Sequence, residues 1–339
     1  MVQNRKVTLK EYAVEWPTQD NFAVEEETLG DPAEGHLIVK NHTLSVDAWI
    51  RTTLSDAGMH TTSALGDTIR AFGVGQVVAS GDPDWAVGDW AYGMLCAQSH
   101  AVVPAAEMSK VEVGNQIGPE AHVGPLGITT GLTAWVGLCA VGEAAKGDVV
   151  VVSGAAGAVG SCVVQIAKAR GCHVIGIAGG PEKCAYLTDQ VGADVAIDYK
   201  AKDKEGGVRA ALAKAAPDGV DVFFDNVGGD ILDDVLDNLR PTGGARVVIC
   251  GAISQYEDLD NVQGPSLYLR LAERNASMRG FVVSYHAARF PEARAEISDL
   301  IRSGDLQLEE HVVEGIDNFP EALMMLFSGG HRGNLVVRA

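Results

Sequence analysis

No apolar run in this chain of 339 residues is long enough to cross a bilayer. The N-terminal stretch MVQNRKVTLKEY also lacks the apolar core of a secretory signal, so a cytoplasmic location is expected. Basic residues are scarce, 26 against 45 acidic ones, and the net charge of −19 argues against nucleic acid or an anionic membrane as partner. The six cysteines, Cys96, Cys139, Cys162, Cys172, Cys184 and Cys250, are scattered with no CxxC pair, which speaks for free thiols in a reducing compartment. Cys162, Cys172 and Cys250 fall in or beside apolar segments and are expected to be buried. None of the nine histidines stands in HExxH or at ligand spacing from a cysteine, so no metal site is expected. His100, His122 and His311 read as surface or loop residues.

Glycine, by contrast, is plentiful at 40 residues, and the 47% hydrophobic content marks an ordinary folded protein. The length suits two domains. Up to about residue 125 the chain reads as short strands, His36–Lys40, Gly75–Ala79 and Trp90–Leu95, separated by turn residues such as Gly81-Asp82-Pro83-Asp84. A small, partly open β-barrel fits that pattern. From about 145, apolar runs alternate with helical patterns. The expected strands are Val149–Ser153, His173–Ala178, Asp194–Ile197, Val220–Asp225, Arg246–Gly251 and Gly280–Val283. Val159, Cys162, Val163, Ile166 and Ala167 repeat at the spacing of one buried helix face. Such alternation predicts an α/β fold with a doubly wound parallel sheet. Beyond 305, His311–Glu314 and Leu335–Arg338 read as strands around a helix over Phe319–Phe327, and the tail is expected to rejoin the first domain.

The sharpest local signal is the strand Val149–Ser153 running into Gly154, Gly157 and Gly160, a G-x-x-G-x-x-G turn that opens a helix. Small residues let the backbone approach a pyrophosphate, and free N–H groups at the helix start face its charge. A site for NAD would place an acidic residue at the end of the second strand to bind the ribose hydroxyl. Here that place reads Ile177-Ala178-Gly179-Gly180-Pro181-Glu182-Lys183. Lys183 either pairs with a 2′-phosphate, which favours NADPH, or is a solvated lysine beside Glu182.

The run Ser153–Lys168 resembles the leukotriene B4 12-hydroxydehydrogenase/prostaglandin reductase branch of the medium-chain dehydrogenases, with its alkenal double-bond reductases and curcumin-reductase-like bacterial enzymes. The likeness extends through Asn4-Arg5, Leu44–Asp47, Gly131–Ala134, Asp225–Gly229, Cys250–Tyr256, Gly280–Val283 and Gly333. It implies a GroES-like β-barrel catalytic domain from 1–125 and 305–339, a Rossmann NADPH-binding domain over 126–304, and a homodimer. It implies that Gly157, Ala158, Val159 and Gly160 line the pyrophosphate, that Lys183 and Tyr199 hold the 2′-phosphate, and that Asn226 lies near the nicotinamide ribose. Cys250, Gly251, Ala252, Ile253, Ser254 and Tyr256, with Phe281, Val282 and Val283, would flank the nicotinamide, and His331 stands where relatives carry an asparagine. Zinc-dependent members carry a Gly-His-Glu signature, where this chain reads Gly66-Asp67-Thr68-Ile69-Arg70-Ala71.

The activity so implied is NADPH-dependent reduction of the C=C bond of a small enal or enone. Hydride reaches the β-carbon, charge moves to the carbonyl oxygen as an enolate, and a proton reaches the α-carbon. A hydrogen bond where that charge develops is worth roughly 3–4 kcal/mol. Tyr256 is the first candidate donor and Tyr268 the second; the ribose hydroxyl is a third. Two departures touch the substrate side. Asp-Pro-Tyr-Met-Arg becomes Asp47-Ala48-Trp49-Ile50-Arg51, and a tyrosine common in relatives becomes Glu273. Trp49 and Arg51 are expected to line the substrate mouth, with Trp49 as plain core the alternative. A zinc-free quinone reductase and a non-catalytic NADPH-binding protein are the competing functions.

Overall fold

The computed structural model describes residues 1–55, 60–201 and 206–339. They divide into two compact units. Unit 1 comprises Met1–Thr129, Tyr256–Asp260 and Glu309–Ala339; unit 2 comprises Thr130–Gln255 and Asn261–Leu308. The junctions expected after residues 125 and 304 lie a few residues before these. The grouping of Tyr256–Asp260 with unit 1 has no counterpart in the sequence reading, which put the whole of 126–304 in one domain.

Unit 1 opens with the antiparallel hairpin of β1 (Val2–Leu9) and β2 (Phe22–Leu29). β3 (His36–Ser45) then pairs antiparallel with both β4 (Phe72–Ser80) and β6 (His100–Pro104). β5 (Trp90–Met94) joins β4, and β7 (Ser109–Val111) joins β5. The register between β3 and β4 shifts at Ile38/Val39 and again at Asn41/Thr43. Such bulges bend a strand and increase its twist, which is how an open sheet begins to curl. Leu37, Val39, Leu44, Ile50 and Ile69 are fully buried in one core with Phe319 from the C-terminal tail. Each such side chain contributes about 1.5–3 kcal/mol of burial.

Unit 2 carries six parallel strands: β8 (Val149–Ser153), β9 (His173–Ala178), β10 (Val195–Asp198), β11 (Val222–Asp225), β12 (Arg246–Ile249) and β13 (Ser277–Gly280). Their spatial order is β10-β9-β8-β11-β12-β13. Counted from β8, that is the 3-2-1-4-5-6 order of a doubly wound dinucleotide fold. β8 and β11 are apolar without alternation because both faces of a parallel sheet are covered. The helices are α1 (Gly131–Trp135), α2 (Ala158–Ala169), α3 (Pro181–Tyr186), α4 (Gly207–Ala215), α5 (Gly229–Asp237), α6 (Leu269–Glu273) and α7 (Phe290–Ser303). The tail returns to unit 1 as β14 (Glu310–Glu314), α8 (Phe319–Ser328) and β15 (Asn334–Arg338), with β15 antiparallel to β3 and β14 parallel to β15.

Two sequence expectations are corrected. The strand expected at Gly280–Val283 is β13, Ser277–Gly280. Its register with β12 ends at Ile249↔Gly280, and Val283 already starts a 3-10 helix. The apolar Phe-Val-Val run there is a loop feature. Second, α2 is not buried on one face only: every residue from Gly160 to Ala167 is buried. The helix packs against α1, α7, β8 and β9, which leaves little of it facing water.

Candidate functional site

In unit 2 the chain leaves β8 through Gly154 at φ +58, and Gly157 caps α2 in an extended conformation with no side-chain hydrogen bond to the first amides. A Cβ at Gly160 would collide with the Gly154 carbonyl and lie 2.7 Å from the Ala155 Cα. The turn therefore accepts glycine alone at that position, and the amides of the first turn are left without a capping side chain. These features fit an anionic group held by main-chain N–H donors at the start of a 12-residue helix. Gly157, Ala158, Val159 and Gly160 all belong to this turn.

β8 and β11 are neighbours at the point where strand order reverses, so their C-terminal ends flank the crevice of the sheet. Asp225 is fully buried there. It accepts Ser153 Oγ at 2.7 Å, the Val227 amide at 3.0 Å and the Gly228 amide at 3.0 and 3.1 Å. Burial pushes its carboxyl above the usual range, against the pull of these donors. Ser153 Oγ in turn accepts the Asn226 amide at 2.8 Å, and Asn226 Nδ2 donates to Ser153 O at 2.7 Å. Asn226 is thereby fixed by both ends. The next loop lies over it: Cys250 and Gly251 donate their amides to Asp225 O, Ile253 to Asn226 O, and Ser254 Oγ donates to Val227 O at 2.6 Å. The Ala252 side chain lies against Gly228. The structure thus assembles Asn226 with Cys250–Ser254.

At the end of β9 a Cβ on Gly179 would stand 2.9 Å from both the Tyr199 ring and Lys200 Cε. Lys183 is held below the ordinary lysine value, first by burial and then by the charge of Lys200. Lys200 Nζ lies 5.8 Å from the Tyr199 ring centroid. Asp198, which ends β10, is engaged by the Gly180 and Lys200 amides at 2.7 and 2.9 Å. The sequence reading named Lys183 and Tyr199 and missed Lys200; its adjacency to Tyr199 was the available signal. Phe281 flanks Gly137 together with Phe224 and packs edge-on to His286, while Val282 is 55% exposed. Tyr268 immediately precedes α6 and is 57% exposed. Glu273, at the other end of that helix, pairs with Arg270 and Arg274 on the surface.

In unit 1, Tyr256 is buried. Trp49 is half-buried, its Nε1 donating to Asp47 Oδ2 at 3.3 Å and its ring meeting Phe72, which stacks on Tyr92. Ser45 Oγ donates to the other Asp47 oxygen at 2.9 Å. Burial nevertheless pushes the Asp47 carboxyl up to about 6. Arg51 corrects an expectation: it lines no open mouth but is 1% exposed, with Nη1 3.2 Å from Ser55 Oγ and Nη2 3.4 Å from Glu257 O. His331 is half-buried between α8 and β15. His100 and His311 lie on β6 and β14 rather than in loops. The Gly66–Ala71 stretch is structural: Ile69 and Ala71 are buried, and Asp67 accepts the Ala64 amide at 2.8 Å. Among the described residues, no three His, Cys, Asp or Glu side chains are grouped to hold a metal ion. All six cysteines are free, with Cys162 and Cys172 buried and Cys250 half-buried; burial pushes the Cys162 thiol up to about 12.

Two family models match the chain. One, described as an N-terminal domain of oxidoreductase, covers 5–111; the other, described as zinc-binding dehydrogenase, covers 158–299. The NADPH-dependent curcumin reductase of Escherichia coli is 31% identical over 99% of this chain and 97% of its own length. The 2-alkenal reductase (NADP(+)-dependent) of Nicotiana tabacum is 34% identical over 99% of this chain and 97% of its own. CurA from Vibrio vulnificus, solved in complex with NADPH, superposes with a TM-score of 0.91 at 35% identity over 99% of both chains. The chain belongs to the medium-chain dehydrogenase/reductase family. It falls in the zinc-free branch of alkenal, curcumin and prostaglandin reductases. Unit 2 is the Rossmann part of this medium-chain reductase and unit 1 its GroES-like part. Among its described residues, no helix is long and apolar enough to cross a membrane.

Proposed function

We propose that this protein is an NADPH-dependent reductase of carbon–carbon double bonds conjugated to a carbonyl, acting on small enals and enones. The observation that carries the reading is the pairing, in unit 2, of a turn closed to side chains at Gly160 with two neighbouring lysines, Lys183 and Lys200, the latter beside Tyr199. The turn suits a pyrophosphate, and two lysines suit the extra phosphate that distinguishes NADPH from NADH. The tobacco 2-alkenal reductase among its relatives supports the substrate class.

When bound, NADPH supplies the hydride that the β-carbon receives. The chain's residues do the rest. Gly157–Gly160 and the lysines bind the phosphates. Ser153 and Asp225 hold Asn226 in one orientation for the nicotinamide ribose. Cys250–Ser254 cover that end, and Phe281 shields it. Tyr256 is assigned the hydrogen bond to the carbonyl oxygen, because a donor is worth most where water is excluded, and Tyr256 is buried while Tyr268 is not. Trp49, oriented by Asp47, is assigned to the substrate side.

The test is to offer enals, enones and quinones with NADPH and with NADH, following nicotinamide absorbance and product mass. NADPH oxidation with enones and a two-hydrogen mass gain is expected. Turnover of quinones alone, or cofactor binding without turnover on any of them, would sink the reading. A homodimer formed through the open edge of the parallel sheet is also proposed. Among the described residues β13 has no neighbour beyond β12, and Met278, Val282 and Tyr285 on or beside it expose apolar surface.

A further inference from the structure

Arg51 is the one arginine among the largest fully buried side chains, yet among the described residues no carboxylate pairs with it. Burial alone accounts for the lowering of its pKa. Among the described residues its guanidinium reaches only neutral oxygens, Ser55 Oγ at 3.2 Å, Glu257 O at 3.4 Å and Val14 O at 3.5 Å, and Nε has no acceptor. Among the described residues Arg51 is thus a buried cation with long hydrogen bonds and no counter-ion, an arrangement that costs stability, and a methionine of similar reach would fill the space without that cost. What Arg51 achieves is geometric. Its fork joins three stretches far apart in sequence, and one of them is Tyr256–Asp260, the five residues that leave unit 2 to group with unit 1. In unit 2 the ends of this excursion are pinned by the Gln263 amide donating to Gln255 Oε1 at 2.9 Å. Within it the Asp260 amide donates to Asp258 Oδ1 at 3.2 Å, which turns the chain back.

We propose that Arg51 is a positioning residue for Tyr256: by holding the Glu257 carbonyl it sets the direction in which the preceding phenol is presented. The inference rests on the reading of Tyr256 as the hydrogen-bond donor of the reduction. A lysine has one ammonium and cannot reproduce the fork, so the two cations are not equivalent here.

The experiment compares Arg51→Met, Arg51→Lys, Tyr256→Phe and the double variant Arg51→Met/Tyr256→Phe. It reads kcat on an enone, KM for NADPH, and amide hydrogen exchange over residues 256–260. Displacing a catalytic group by about an ångström can cost on the order of a hundredfold, so Arg51→Met is expected to lower kcat about ten- to hundredfold. KM for NADPH is expected to stay put, and exchange over 256–260 to accelerate. Arg51→Lys should fall between, and the double variant should be no slower than Tyr256→Phe. Unchanged exchange in Arg51→Met and Arg51→Lys, or losses that multiply in the double variant, would overturn the proposal. Full activity of Tyr256→Phe would overturn the donor assignment instead, and the exchange result would still decide whether Arg51 holds the segment.

Discussion

At the scale of single residues, the same charge has different consequences in different surroundings. Lys183 is half-buried beside Lys200, which is exposed, and burial together with the charge of Lys200 makes its own charge costly until an anion arrives. Lys200→Ala is therefore expected to raise KM for NADPH about three- to tenfold, discounted for its exposure, and to leave KM for NADH unchanged. Equal effects on both cofactors in steady-state kinetics would remove Lys200 from the phosphate site. In unit 1, Glu310 on β14 is pushed up to about 7, first by burial and then by Glu120, with Arg338 pulling the other way. A carboxyl whose folded-state pKa exceeds the unfolded one favours the native state when protonated. That advantage is present below the ordinary value of 4.5 and is lost as pH rises through about 7. Glu310→Gln mimics the protonated form. It should match the parent's Tm near pH 4 and exceed it at pH 8; a pH-independent difference in thermal unfolding would count against this account.

At the scale of elements, the cofactor site is a property of strand ends. β8 and β11 bring Ser153 and Asp225 together, and Asp225 uses its oxygens to order the Asn226–Gly228 turn. The turn into α2 tolerates no side chain at its third glycine. Gly160→Ala is expected to weaken NADPH binding roughly tenfold or more, about 1.4 kcal/mol per decade, by displacing the Gly154 carbonyl. Binding titration checks this, with circular dichroism showing the fold intact; parent-like affinity would mean that the turn relaxes freely. The misplaced strand at 280–283 belongs to this scale as well. Phe281-Val282-Val283 has the composition of a buried strand, but a strand exists only where a neighbour supplies register, and β12 ends at Ile249.

For the molecule as a whole, the chain passes between its two units more often than a simple insertion requires, because Tyr256–Asp260 and the tail from Glu309 both group with unit 1. The acidic surface keeps copies apart, so self-association needs a local apolar patch, and the edge beside β13 is the one proposed. Val282→Asp with Tyr285→Glu should convert a dimer to a monomer in light scattering after gel filtration. A parent protein already monomeric at micromolar concentration would refute that assembly.

The amino-acid sequence by itself determined the two-part organisation, the parallel sheet and the glycine turn. Each is written in local terms: apolar runs of strand length, a helical repeat from Val159 to Ala167, and glycines at fixed offsets from Ser153. Lys183 was a candidate for the same reason, since it follows a strand end that can be counted, whereas Tyr199 and Asn226 were named only through the family resemblance. Only the tertiary structure decided that Lys200 joins Lys183, that Asp225 and Ser153 hold Asn226, that Arg51 is buried against Glu257, and that Tyr256 departs from its neighbours in the chain. These are contacts between residues tens to hundreds of positions apart. Their existence depends on which strands pair and where the register stops, and no local pattern encodes that.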